Sequence, residues 1–517
     1  MHLAEFYEKY KAKIYLICNI AILFAMALFM CLTCSRQGLW IDEIKWTMGF
    51  MNNGFFNMIK ELATSIYNLP VFYIVGFVFY RIFPANEIFI MLPSIISVVV
   101  GVWFLYLTIK NLYGYELATL VSFTSSISLA LISFAGVQFR PYGLLFMLVC
   151  LCLYFYCRRL KDPSIKNFII LGVLFLLLVY THWFGILLVG VLGVYDFILC
   201  CLKKQSFYVL LPYVVAVVLF IPWFIYAVLN SKYSLTEYWA EKPTITYPLS
   251  VISIFTNTNP VFLIMFFLGF TAFIARYVIK LLNKENFENK RITLLFSIII
   301  PLVFGLVMFY SLVISPNASL CVDRYFIIIL PFIIFFESYF IYSIFKAIKK
   351  YLKKELFLWI ALGVFLVFAV PCGLYSSYYT ALQYKYMVPN EWYREAAHYL
   401  VSSNDLDKDD VALLQFENTD AWLTYYVAKK GEYTIKNYYG DCFEEEVLKM
   451  VIDGEELNET ISPEEFLEEI QTKNIIYLFY DHPVGINMNN NYIYNNLVEN
   501  YDLEIVHYNF YKFTKKA

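Results

Sequence analysis

Four short segments, far apart in the chain, carry side chains able to do chemistry. The first reads Gly38-Leu39-Trp40-Ile41-Asp42-Glu43. Two adjacent carboxylates offer a general base, a group that takes the proton from an attacking hydroxyl. The plainer alternative is a solvated acidic pair at a helix start. The second segment is Gln138-Phe139-Arg140-Pro141-Tyr142. An arginine fork donates two parallel hydrogen bonds to a phosphate and stays charged at any relevant pH. Pro141 suits the first turn of a following helix and sets the approach of the chain. An interfacial anchor would use the same arginine and tyrosine. The third is Tyr180-Thr181-His182-Trp183-Phe184-Gly185, a tight turn with one of only 5 histidines. His182 can bind an anion, hold a hydroxyl or ligate a metal, or be part of an aromatic-belt turn. The fourth, Asp323-Arg324-Tyr325, offers Arg324 as a second anion partner, or else a helix-terminal Asp beside a snorkelling Arg.

These groups need elements to position them, and composition says which. The chain has 517 residues, 61% hydrophobic and 20% aromatic. Soluble proteins hold roughly 45–50% apolar residues. Here the excess sits in long runs, and runs near 20 apolar residues read as membrane-spanning helices. The expected spans are 14–34, 88–109, 117–136, 141–157, 167–181, 184–202, 206–229, 259–282, 292–314, 325–345 and 355–374. A further stretch, 68–83, holds about 14 residues between Pro70 and Pro84, below the ~17 that crossing requires. It is expected to be re-entrant or interfacial.

Lys and Arg cluster at 9–13, 110, 158–166, 203–204, 276–291 and 346–354. These clusters hold about 20 basic residues, against about eight in the intervening loops, so they are expected on the cytoplasmic side. The alternation gives about 11 crossings, a cytoplasmic N-terminus and an extracytoplasmic C-terminus. Asp42, Glu43, Arg140, His182 and Arg324 then gather at the outer face. Ionisable groups at that depth are costly and tend to be functional. The first apolar run, Ile14 to Leu32, has no small-residue cleavage pattern after it and reads as an uncleaved first helix.

After residue 376 the character changes. This region holds 25 of the 41 acidic residues and 11 of the 39 Lys and Arg, which argues against nucleic-acid binding. Helical stretches at 394–402 and 463–471 alternate with strand-like runs at 411–416 and 474–480, as in an α/β domain. Ser462-Pro463-Glu464-Glu465 is an N-cap with proline at the first helical position. The expected domains are 1–375, a transmembrane catalytic part with a first outer loop at 35–87, and 376–517, a soluble extracytoplasmic part. Most of the 11 cysteines sit in apolar runs without paired CxxC spacing, so they read as small core residues, not a zinc site.

In order and spacing, "LWIDE", "QFRPYGLL", "THWFG" and "DRYFIIILP" resemble the GT-C glycosyltransferases of the protein O-mannosyltransferase and aminoarabinose-transferase type, over about residues 14–345. The resemblance implies a polyprenyl-phosphate sugar donor, a glycan, lipid or protein acceptor, and an inverting mechanism. It implies a base at Asp42, with Glu43 beside it. It makes Arg140 with Tyr142, and Arg324 with Tyr325, the donor-side residues, joined by His182. Many relatives carry His-Pro-Pro or Lys-Pro-Pro where this chain has Asn68-Leu69-Pro70, and an Arg near Met91-Leu92-Pro93-Ser94. Those departures bear on the acceptor and on any divalent metal, which the sequence leaves open. Two other classes compete: a transporter or flippase of lipid-linked sugars, and a non-catalytic membrane scaffold. Transporters tend to show repeats and broken midplane helices; the sequence shows no repeat and places its charges at one surface.

Overall fold

The computed structural model describes residues 2–352 apart from short loop segments, and the stretches 390–416, 438–449, 459–480 and 492–516 with short gaps. The expected span 355–374 lies outside the described residues. The chain forms two compact units: Met1–Cys34 with Phe50–Tyr379, and Ser35–Gly49 with Thr380–Ala517.

The first unit is helical. Its helices are α1 (His2–Gln37, whose last residues fall in the second unit), α2 (Gly49–Asn52, whose first residue does), α3 (Phe55–Ala63), α4 (Pro70–Ile82), α5 (Glu87–Tyr113), α6 (Tyr115–Ser126), α7 (Tyr142–Lys161), α8 (Ile165–Val179), α9 (Trp183–Cys201), α10 (Leu211–Asn230), α11 (Tyr247–Phe255), α12 (Pro260–Leu282), α13 (Lys290–Phe309) and α14 (Leu330–Leu352). Among the described residues, eight helical segments are long and apolar enough to cross a membrane: 9–34, 88–113, 142–161, 183–201, 207–230, 260–282, 290–314 and 323–348. Each coincides with an expected span. Their outer faces are apolar: on α10, Val214, Val218, Ile221 and Ile225 are all exposed. A surface of that kind belongs in lipid, and the chain is an integral membrane protein.

Two expected spans take another form. Residues 165–179 form a helix of 15 residues, about 22 Å long at 1.5 Å per residue. Residues 117–136 do not make one helix. α6 ends at Ser126, and a π-helical turn, Leu131–Gly136, follows after a break. The break leaves backbone groups inside the protein without helical partners, and Asn257 supplies them. Its side chain accepts from the Leu129 amide at 2.7 Å and donates to the Ile127 carbonyl at 3.0 Å. Asn257 is buried and has φ 61°, a left-handed conformation that Asn tolerates better than most residues.

The C-terminal parts of α7 and α9 hold a buried ion pair. Arg159 Nη2 lies 2.8 Å from Asp196 Oδ2, and both side chains are at most 2% exposed. Tyr156, Tyr213 and Gln205 also donate to Asp196, at 2.8, 2.8 and 3.0 Å. In sequence, Arg159 belongs to a basic cluster expected at the membrane surface; the structure turns it inward instead. A buried charge persists when paired and hydrogen-bonded, and this one ties α7, α9 and α10 together.

The second unit has an α/β core. Strands β1 (Val411–Phe416), β2 (Tyr438–Asp441), β5 (Ile475–Tyr480), β6 (Tyr501–His507) and β7 (Phe510–Lys515) form a sheet in the order β2-β1-β5-β7-β6. β1 runs parallel to β2 and β5, and β7 antiparallel to β5 and β6. β3 (Val447–Lys449) and β4 (Glu459–Ile461) pair separately. Helices α15 (Asn390–Ser403), α16 (Pro463–Ile470) and α17 (Tyr492–Asn500) accompany them. Ser462 and Glu465 close a full capping box on α16. Phe466, Ile470, Leu497 and Phe513 pack with Leu414 and Leu478 in one core.

Candidate functional site

At one end of the helical unit, three of the four sequence segments converge. The Gln138–Pro141 stretch is a non-helical turn leading into α7. Ser94 Oγ donates to the Gln138 carbonyl at 2.6 Å and anchors that turn to α5. Gly143 allows the approach: a Cβ there would lie 2.5 Å from the Ala135 carbonyl oxygen and 3.0 Å from that of Ser94. Tyr142, at the first position of α7, is 1% exposed and points into the protein. Arg140 and Tyr142 therefore stand where a turn meets a helix start.

His182 caps α9. Its Nδ1 accepts from the Phe184 amide at 3.2 Å, so in the neutral ring the proton sits on Nε2 and is available to a ligand. The turn is tight because Gly185 follows; a Cβ at that position would collide with the Leu178 carbonyl. The short helix α4 braces both turns. Its Val71 amide donates to the Tyr180 carbonyl at 3.1 Å, and Phe72 meets Phe139 edge-on, centroids 5.4 Å apart. Asn68, just before α4, accepts from the Tyr73 hydroxyl at 2.7 Å and donates to Ser65 at 3.1 Å.

The third contribution is a 3-10 helix, Asp323–Ile329, that opens the last of the eight spans. Arg324 Nε donates to the Tyr142 hydroxyl at 2.9 Å, joining residues 182 positions apart. Tyr325 packs edge-on against His182 at 4.8 Å and lies 6.2 Å from the Tyr142 ring. Tyr142 and His182 are 5.8 Å apart. Burial, then the positive charges of Arg140 and Arg324, pull the His182 pKa down to about 3. The imidazole is therefore neutral at physiological pH, while two guanidinium groups keep the neighbourhood positive.

Asp323, beside Arg324, accepts from the Tyr247 hydroxyl at 2.8 Å. Burial, and then the Asp323 carboxylate, push the Tyr247 phenol well above its usual range. Tyr247 opens α11, and Asn257 follows the end of the same helix. The segment 247–257 thus grips both the Arg324 turn and the α6 break upstream of Arg140. Sequence reading missed both residues, since Tyr247 and the polar run Asn257-Thr258-Asn259 look like ordinary loop.

The fourth segment belongs to the second unit. Asp42 and Glu43 open a π-helical turn, Asp42–Met48, within which Thr47 Oγ1 donates to the Asp42 carbonyl at 3.1 Å. Glu43 is 1% exposed, whereas Asp42 is half-buried. Among the described residues, no three His, Cys, Asp or Glu side chains group as a metal site.

Two arginines, a neutral histidine donor and a cluster of tilted and edge-on aromatic rings suit a phosphorylated, ring-bearing ligand. Residues 69–226 match the family described as dolichyl-phosphate-mannose-protein mannosyltransferase. That match covers less than a third of the chain. Among solved structures the chain is similar to apo ArnT from Cupriavidus metallidurans, at 10% identity and TM-score 0.58, over 97% of this chain and 98% of that one. ArnT from the same organism bound to undecaprenyl phosphate matches at 11% identity and TM-score 0.52, over 96% and 98%. The oligosaccharyltransferase AglB from Archaeoglobus fulgidus gives 10% identity and TM-score 0.49, over 81% and 64%. No curated protein matches the chain in sequence.

Proposed function

We propose that the chain is a membrane glycosyltransferase of the GT-C type, which moves a sugar from a polyprenyl-phosphate carrier to an extracytoplasmic acceptor, a cell-surface glycan, lipid or protein, with inversion at the anomeric carbon. The N-terminus is cytoplasmic and the C-terminal domain lies outside the plasma membrane, as the Lys and Arg distribution favours. The observation that carries the reading is the Arg324–Tyr142–His182–Tyr325 assembly, with Arg140 acting on the same histidine. It unites segments that have no local reason to meet. A relative of the same fold, ArnT, is known bound to undecaprenyl phosphate, which supports a lipid phosphate as the ligand.

In this reading, Asp42 takes the proton of the acceptor hydroxyl as its oxygen attacks the anomeric carbon. The bond from that carbon to the phosphate oxygen breaks, and its electron pair leaves with the phosphate. Arg140 and Arg324 stabilise that anion, so no strong acid is needed. His182 donates Nε2–H to a phosphate or sugar oxygen. Tyr142 and Tyr325 position Arg324 and offer an aromatic face to the sugar, and Glu43 supports Asp42 as a buried neighbour.

Arg140→Lys and Arg324→Lys test the donor assignment, since each keeps the charge but loses the fork. Each is expected to weaken use of a polyprenyl-phosphate-sugar donor about tenfold or more, as loss of a charge-assisted hydrogen bond requires. Lys166→Ala, at an exposed position, is the control. Normal transfer by both Arg variants would reduce these residues to membrane anchors.

A further inference from the structure

Tyr247 stands outside the four sequence segments, yet it touches the turn that carries Arg324 at two points. Its hydroxyl donates to Asp323 Oδ1 at 2.8 Å. Its ring lies against Phe326, centroids 6.0 Å apart. Asp323 and Phe326 both belong to the 3-10 helix Asp323–Ile329. Such a helix has three residues per turn, so side chains at i and i+3 eclipse and share one face. Tyr247 therefore covers that face, and the two residues between are turned about 120° to either side of it. Arg324 reaches the Tyr142 hydroxyl at 2.9 Å, and Tyr325 packs on the His182 ring at 4.8 Å. Phe326 is also held from other directions: its ring stacks on Phe304 at 4.9 Å and meets Phe184, two residues after His182, at 5.2 Å. Tyr247 is itself fixed by the helix it opens. α11 buries Val251, Ile252 and Phe255. Just beyond its end, Asn257 is bonded to the α6 break. Asn257 and Thr258 have φ 61° and 50°. A β-branched residue rarely adopts that conformation, and it persists only where the surroundings impose it. A nine-residue helix held at both ends makes a stiff support.

We infer that Tyr247 is a positioning residue for donor binding: it sets the rotation of the 3-10 helix about its own axis, and so the direction in which Arg324 presents its guanidinium. The inference rests on the reading of Arg324 as a ligand of the donor phosphate. A 3-10 helix is held by poorer backbone hydrogen bonds than an α-helix, so its setting depends more on side-chain contacts. Tyr142 grips Arg324 near the end of the side chain, and Tyr247 grips the backbone that carries it, through Asp323 on one side and Phe326 on the other. A guanidinium fork that makes two parallel bonds to a phosphate is sensitive to small rotations, because both bonds must be in line at once. Without the Asp323 contact the helix can turn, and the fork leaves the line of the ligand although its charge stays nearby.

The test is equilibrium binding of undecaprenyl phosphate to the purified full-length protein. Tyr247→Phe keeps the ring on Phe326 and removes only the hydroxyl. It is expected to weaken binding about tenfold, as loss of a hydrogen bond to a charged group allows. Arg324→Ala should weaken it at least as much. Adding Tyr247→Phe to Arg324→Ala should then change the affinity less than twofold, because the hydroxyl acts only through that arginine. Asp323→Asn keeps an acceptor oxygen without the charge; it gives a smaller loss and serves if Tyr247→Phe does not fold. Tyr113→Phe removes a hydroxyl 3.5 Å from that of Thr293, at the opposite end of α5 from Ser94, and should leave the affinity within twofold. Parent-like affinity in folded Tyr247→Phe, beside a clear loss in Arg324→Ala, would overturn the inference and leave the donor reading standing. Additive losses in the double variant would also overturn it, and make the contact a general support of the fold. An Arg324→Ala variant that binds as the parent does would overturn the donor reading and this inference with it.

Discussion

Tyr142→Phe removes one oxygen and leaves the ring. That oxygen accepts the Arg324 Nε–H bond at 2.9 Å, in a residue only 1% exposed. The rings of His182 and Tyr325, at 5.8 and 6.2 Å, lose nothing. A hydrogen bond to a charged group contributes about 1.5–3 kcal/mol. If Arg324 must be held in place to meet a phosphate, most of this appears in ligand affinity. Since about 1.4 kcal/mol is a factor of ten, binding should weaken roughly 10- to 150-fold. The assay is equilibrium binding of undecaprenyl phosphate to purified protein, beside a thermal unfolding curve. An affinity within twofold of the parent's, in folded protein, would refute the claim that Tyr142 positions Arg324 for the ligand. A large fall in melting temperature with unchanged affinity would make the contact purely structural.

Two further outcomes follow from the geometry. Asn257→Ala strands the Leu129 amide and the Ile127 carbonyl inside the protein and puts alanine at φ 61°; it should cost about 2–6 kcal/mol, read by unfolding, and an unchanged curve would show that the α6 break needs no clamp. His182, with its pKa lowered to about 3, binds no proton in the folded state where an unfolded histidine does, so its contribution to stability is full above about pH 6.5 and is lost as pH falls towards 3. Its ring resonances should therefore not titrate between pH 5 and 8, and a midpoint near 6.5 would contradict the burial and the two nearby arginines.

Much of this was legible in sequence because hydropathy and chain order are local signals. Eight spans need only their own residues to be recognised, and the turns at Arg140 and His182 declare themselves by Pro141 and Gly185. The break in α6 was not legible. Ile127-Ser128-Leu129-Ala130 is as apolar as any helix, and what makes a break tolerable is an asparagine about 130 positions later. Arg159 failed for the same reason. A basic residue near a helix end reads as a surface charge until its carboxylate, 37 residues on, is seen beside it. The Arg324–Tyr142 contact itself was not legible: the Lys and Arg alternation put both motifs at one membrane face and the family resemblance grouped them in one site, but neither paired these two side chains.

The central claim is that Asp42 is the base of a sugar transfer from a polyprenyl phosphate. Asp42→Asn keeps the size and the polarity and removes the basicity; Glu43→Gln does the same for a neighbour that is 1% exposed. The most direct measurement is turnover of a polyprenyl-phosphate-linked sugar by the two folded variants side by side, with donor affinity measured in parallel. Loss of a positioned base predicts that Asp42→Asn falls roughly 10²–10⁴-fold in turnover while still binding the donor, and that Glu43→Gln falls less. An active Asp42→Asn, whatever the fate of Glu43→Gln, would contradict the account.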